Sequence, residues 1–174
     1  MKIVLRLMLG IAVLLGILFI IGFFLPDHSH IERSVVIDAP QAEVYQLVNT
    51  LPEWHKWSAW HAMEPDATWE YSTPPSGSGS WYSWKGEKIG EGKMTIIEAE
   101  PMSRIATEME FVGQGEAEAD FIFEPVGNGQ TQVTWTFDSD HSGSMERWFG
   151  IMMDRMLGPD YETGLNNLKR LAES

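Results

Sequence analysis

The stretches RIATEMEFV (104–112), EAEADFIFEPV (116–126) and QTQVTWTFD (130–138) decide the fold. Each alternates apolar and polar residues with a period of two, the signature of a strand with one buried and one wet face. Ile105, Met109 and Phe111 share one face of the first, against Arg104, Glu108 and Glu110. Ala117, Ala119, Phe121 and Phe123 alternate with Glu116, Glu118 and Asp120 in the second. Val133, Trp135 and Phe137 alternate with Gln132, Thr134 and Thr136 in the third. Gly127-Asn128-Gly129 joins the last two as a tight hairpin turn. Antiparallel meander connections with one solvated face fit this pattern.

Upstream, weaker strands read over Ile31–Ile37, Thr68–Ser72, Ser80–Lys85 and Gly90–Ala99, separated by Gly-, Ser- and Pro-rich turns. In the last of these Gly92, Met94 and Ile96 share a face. Asp38-Ala39-Pro40 predicts a helix start with Asp38 as N-cap, and Pro52 predicts a second short helical turn. Downstream, about 143–172 reads as one long helical segment. Met145, Trp148, Phe149, Met152 and Met156 recur at spacings of three and four, and Tyr161, Leu165 and Leu168 continue an apolar stripe. Gly158-Pro159 predicts a kink or break. The order is strand, two short helices, about six strands and one long helix: an α+β layout whose curved antiparallel sheet covers a single helix.

Before all this, Leu7 to Leu25 is a run of 19 residues without charge. As a helix it is about 28 Å long, close to the ~30 Å hydrocarbon layer of a bilayer. It exceeds the apolar core of an ordinary signal peptide, and Gly22 to Pro26 make a poor cleavage site. Residues 1–26 are therefore expected to be an uncleaved anchor and 27–174 the working domain. Lys2 and Arg6 precede the span, which keeps the N-terminus in the cytoplasm by the positive-inside rule. The expectation is a single-pass protein of the cytoplasmic membrane with its C-terminal domain outside the cytoplasm, periplasmic in a diderm cell.

Composition narrows the chemistry. Residues 27–174 hold 10 basic and 25 acidic residues, a net charge of −15. So acidic a domain lacks the Lys/Arg clusters that phosphate contacts need, which argues against nucleic acid as a partner. The chain has no cysteine, so thiolate metal sites and cysteine nucleophiles are excluded. His28, His30, His55, His61 and His141 have no four-residue helical spacing of a hydrolytic zinc site, and they read as solvated. A site from His55, His61 and Glu64 is the weaker alternative. The carboxylates fall mostly on wet strand faces, where they give solubility rather than acid–base chemistry. Gly77-Ser78-Gly79 is followed by no lysine-bearing helix, and no nucleophile elbow is present.

Several short stretches, in order, resemble the START-like (SRPBCC) superfamily, in its polyketide cyclase/dehydrase-like branch. Ile37-Asp38-Ala39-Pro40 with Val44 and Tyr45 resembles its first strand and helix start. Trp57-Ser58-Ala59-Trp60 followed by Glu64-Pro65 resembles its tryptophan loop, with Ala59 where the family usually has Pro. Gly77-Ser78-Gly79 with Tyr82 and Trp84, then Gly90-Glu91-Gly92, resembles its hairpin signature. Thr131–Trp135 resembles its last strand, and Gly164-Leu165 with Leu168-Lys169 the end of its long helix. The resemblance implies a helix-grip fold: a sheet of about six to seven strands wraps the C-terminal helix and leaves a cavity for an apolar ligand. It carries no catalytic residue set, no cofactor and no metal onto this chain.

The inner faces combine adaptable and small side chains. Trp84, Met94, Met109, Phe121, Trp135, Met152 and Met156 are the candidate ligand-binding residues. Ala117, Ala119 and Gly92 leave room in the wall, and about 300–1,000 Å³ is normal for such a site. The alternative is that these residues simply fill a core. Trp54, Trp57, Trp60 and Trp69 either form a hydrophobic plug under the loop between the second helix and the sheet or face the membrane interface. The leading expectation is a membrane-tethered module binding an apolar small molecule or lipid. A cyclase, dehydratase or hydrolase in the same cavity, and an interaction protein with a collapsed cavity, are the alternatives.

Overall fold

Alternation in the sequence becomes a seven-stranded antiparallel sheet in the computed structural model, which describes residues 2–113 and 115–174. The strands are β1 (His28–Ile37), β2 (Thr68–Tyr71), β3 (Trp81–Lys85), β4 (Glu91–Glu100), β5 (Arg104–Phe111), β6 (Gly115–Pro125) and β7 (Thr131–Asp140), in the order β1-β7-β6-β5-β4-β3-β2. Every neighbour is a hairpin partner except β1 with β7, which brings the first and last strands together. A register shift between Ile96 and Glu98 turns Ile97 outward and bends the sheet.

The helices are α1 (Lys2–Gly22), α2 (Gln41–Asn49), α3 (Ala59–Met63) and α4 (Ser144–Ala172), with a 3-10 turn at Leu51–Lys56. The N-cap of α2 is Pro40, not Asp38. α4 lies along the inner face and closes a helix-grip α+β fold. It runs through Pro159 as one helix, so of the expected kink or break the break does not occur. Proline removes only one amide donor there, and the Thr163 hydroxyl donates back to the Pro159 carbonyl at 2.7 Å.

Glycines set how closely α4 approaches. A Cβ at Gly158 would strike the Arg33 guanidinium, and one at Gly164 would lie 3.1 Å from the Trp135 ring. Arg33 donates to Asp154 and Glu162, both at 2.8 Å, which pins α4 along β1. α1 is long and apolar enough to cross a membrane, a property that anchors and signal sequences share, and its side chains over residues 3–21 are exposed.

Gly92 does not leave a void, contrary to expectation. A Cβ there would overlap the Trp84 ring and approach the Glu110 carbonyl. The missing side chain is the seat of the indole. Gly92→Ala is expected to displace Trp84 and to destabilise the fold by about 1–3 kcal/mol, read from urea unfolding followed by tryptophan fluorescence in mild detergent.

Candidate functional site

The inner face of the sheet is an aromatic surface. β3 contributes Tyr82 and Trp84, β6 Phe121, β7 Trp135 and Phe137; the 3-10 turn adds Trp54. Phe121 stacks on Trp135 at 4.6 Å between ring centroids, and Trp135 lies 3.9 Å from Tyr161 of α4. Trp54 meets Trp57, Tyr82 and Phe121 at 4.7–5.7 Å. Trp54 and Trp57 are fully buried, and their indoles donate to the Val48 and Leu47 carbonyls. Trp60 packs against Trp135 and Tyr161. The four tryptophans of the first loop and β2 thus form the plug rather than a separate membrane-facing patch.

Between sheet and helix a cavity of about 70 Å³ remains. Its wall includes Met94, Thr107, Ala119 and Trp135, and its half-buried rim includes Trp60, Trp69, Ile89, Met109 and Leu157. That volume is less than a quarter of the roughly 300 Å³ at which ordinary small-molecule sites begin. The indoles occupy the space that the alternation of large and small residues left open in the sequence.

Polar groups in this wall are few. Thr107 donates its hydroxyl to the Ala119 carbonyl at 2.9 Å. Burial pushes the Tyr82 and Tyr161 hydroxyls up, so both stay protonated. Trp135 Nε1 is buried without a hydrogen-bond partner among the described residues. An unmatched donor of this kind costs about 1–3 kcal/mol. The cavity-lining residues include no Asp, Glu, Lys, Arg or His among the described residues.

Beside the plug, His61 is buried, against the reading of solvated histidines. It stacks on Trp69 at 3.6 Å, and its Nδ1 has no partner among the described residues. Desolvation, helped by His55, lowers its pKa to about 4. Glu64 is not aimed at it. That carboxylate accepts the backbone N–H groups of Glu87, Lys88 and Ile89, which hold its pKa down. His55, His61 and Glu64 therefore form no ligand set.

The candidate residues separate into three groups. Trp84, Met94, Met109 and Trp135 meet at the cavity. Phe121 is wholly buried in the aromatic layer and is not part of the cavity wall. Met152 and Met156 lie on the exposed face of α4 with Met145 and Phe149, while Met153, Leu157, Tyr161 and Leu165 supply its inner face. Sequence reading missed Tyr161 and Leu157 as wall residues, although both follow from carrying the Leu165–Leu168 face back by one and two turns. It also missed a cluster on the outer face. His28 and His30 belong to β1, and Asp138 Oδ1 lies 3.0 Å from His28 Nε2 and 2.7 Å from His30 Nδ1. Hydrogen bonds to Asp140 and Asp138 raise the pKa of His28.

Residues 28–173 match the family described as polyketide cyclase / dehydrase and lipid transport, and the chain belongs to that family. No curated protein matches it. Among solved structures, it is similar to CV1439 from Chromobacterium violaceum: 14% identity over 84% of this chain and 98% of that one, with a TM-score of 0.62. CalU16 from Micromonospora echinospora gives 14% identity over 83% and 76%, with a TM-score of 0.59. Truncated norcoclaurine synthase from Thalictrum flavum gives 12% identity over 83% and 92%, with a TM-score of 0.62. Identities this low speak for the fold.

His61 makes a pH prediction. Its folded pKa lies below the unfolded value, so its stabilising contribution is complete above about pH 6.5 and is lost as pH falls toward about 4. The raised pKa of His28 works in the opposite sense, its contribution fading as pH rises through that raised value. The two are separated by difference: relative to wild type, His61→Gln should flatten the dependence of the urea midpoint on pH between about 4 and 6.5.

Proposed function

We propose that the protein is a membrane-tethered binding module whose domain, residues 27–174, takes an apolar small molecule between sheet and α4. Residues 1–26 are the tether, with the N-terminus in the cytoplasm and the domain on the far side of the membrane. Trp84, Met94, Met109 and Trp135 are the ligand contacts. The observation that carries this reading is the wall itself: aromatic and aliphatic side chains around a cleft, with one unpaired indole N–H to orient an acceptor oxygen on the guest. Family membership supports the same ligand chemistry. The cleft as it stands admits only a fragment of a molecule. A larger guest displaces the rim, where Met109 and Leu157 are only partly buried and methionine adapts at low cost.

Acid–base catalysis has little support, because the wall offers no ionisable group with a pKa near neutrality. The small volume favours a second reading, a filled interior whose domain acts through its surface. Native mass spectrometry of the full chain released from mild detergent separates the two. The binding reading expects a retained apolar molecule. Ala119→Leu, which narrows the cleft, should weaken retention by about tenfold, or ~1.4 kcal/mol, in a variant that tryptophan fluorescence shows to be still folded. An empty wild type, or equal retention in the variant, favours the surface reading.

A further inference from the structure

The first half of α4 carries an apolar stripe that nothing among the described residues covers. Met145, Phe149, Met152 and Met156 are between 52 and 62% exposed. At about 100° per residue they fall within one narrow strip, opposite the face that packs on the core. The strip stops abruptly. Farther along the same face come Pro159, Thr163 and Asn166, the last two polar and exposed. An apolar face that ends within one helix marks a change in what surrounds that helix.

The neighbour of the apolar half is α1. The Ser144 hydroxyl donates to the Phe19 carbonyl at 2.6 Å, and Trp148 Nε1 to the Leu18 carbonyl at 3.1 Å. Arg147 Nη1 donates to the carbonyls of Phe23 and Leu25 at 2.9 and 3.1 Å. Gly22 has no side chain where a Cβ would strike Ser144. Leu18 and Phe19 lie four and three residues before α1 ends at Gly22, a depth of about 5–6 Å along the helix. Interfacial helices bury their apolar face by a similar ~5–10 Å. The polar groups taken to that depth are satisfied: Glu146 accepts from the Ser142 and Gly143 N–H groups and caps the helix.

We propose that the stripe Met145–Phe149–Met152–Met156 is a lipid-docking ridge, seated in the headgroup–acyl boundary of the membrane that α1 crosses. The proposal rests on the tether reading above. It adds that the domain lies on the bilayer in one fixed orientation, with Trp148 and Arg147 at the interface. The outer sheet face carries Glu116, Glu118, Asp138 and Asp140, so attraction to anionic lipid is not what holds the domain. Burial of the ridge suffices, and a zwitterionic surface serves.

The chain has no cysteine, so single-cysteine variants of the full protein carry an environment-sensitive fluorophore at one place each. Leu14→Cys, Phe149→Cys, Met152→Cys and Thr163→Cys are reconstituted in phosphatidylcholine nanodiscs. Expected are strong quenching by spin-labelled lipid at positions 14, 149 and 152, and quenching by aqueous iodide at 163, unchanged at high salt. Labels at 149 and 152 that respond to iodide as 163 does, with 14 still quenched by lipid, overturn the ridge and leave the tether. Labels at 149 and 152 shielded from both quenchers mean that protein, such as a second copy, covers the stripe, which also overturns it. A label at 14 that lipid does not quench removes the tether and the ridge together.

Discussion

The stack of Phe121, Trp135 and Tyr161 is the contact on which the rest of the structure depends. It is the point where the sheet grips the helix: two rings from adjacent strands and one from α4, at 4.6 and 3.9 Å. Aromatic pairs of this kind add about 0.5–1.5 kcal/mol each beyond the area they bury. The stack is reached only because Gly164 presents bare backbone beneath Trp135. Once Tyr161 is fixed there, the direction of α4 is fixed too, and the ion pairs of Arg33 with Asp154 and Glu162 keep it along β1. α4 then shields the edge strand β1, whose free backbone groups would otherwise invite pairing with another chain.

The same rings limit the interior. A domain that builds its sheet–helix contact from tryptophan has little space left for a guest, and the cavity of about 70 Å³ is the remainder. Side chains that a guest could move are at the rim, where Met109, Trp60 and Leu157 are half-buried. Trp54 at the base, and Trp57 packed against it, are locked by indole hydrogen bonds to backbone. Adaptability is therefore graded from mouth to floor, and binding would reshape the first without disturbing the second.

The sheet was legible because period-two alternation ties face to parity, so β5, β6 and β7 could be read residue by residue. The helix was legible in extent but not in orientation. Periodicity says that Met145, Phe149, Met152 and Met156 share a face; it does not say what covers that face, and a lipid-facing stripe has the same pattern as a core-facing one. Gly92 misled for a related reason. An absent side chain reads as space, whereas the space belongs to whichever neighbour is long enough to fill it, here Trp84. His61 could not be placed from sequence at all, since its burial depends on Trp69 folding over it from a strand eight residues away. His28 and His30 fall outside the strand read from Ile31 because charge and histidine mask the start of a strand whose partner, β7, lies more than a hundred residues on.

Two attachments of unequal strength would divide the work of holding this domain at a membrane. A span of about twenty apolar residues is effectively irreversible, but by itself it leaves the domain free to swing on residues 23–27. A ridge of four side chains is far too weak to recruit a soluble protein. Joined to the span it needs no such strength, because tethering replaces a bimolecular encounter with an intramolecular one at high effective concentration. Short polar contacts, Ser144 to Phe19 and Arg147 to Phe23 and Leu25, would shorten such a tether further and set the rotation of α4 about it. Leu157, on the cavity rim, follows Met156 directly at the end of the ridge. A domain docked in this way would hold one side of its cleft close to the lipid surface, where an apolar guest is most concentrated.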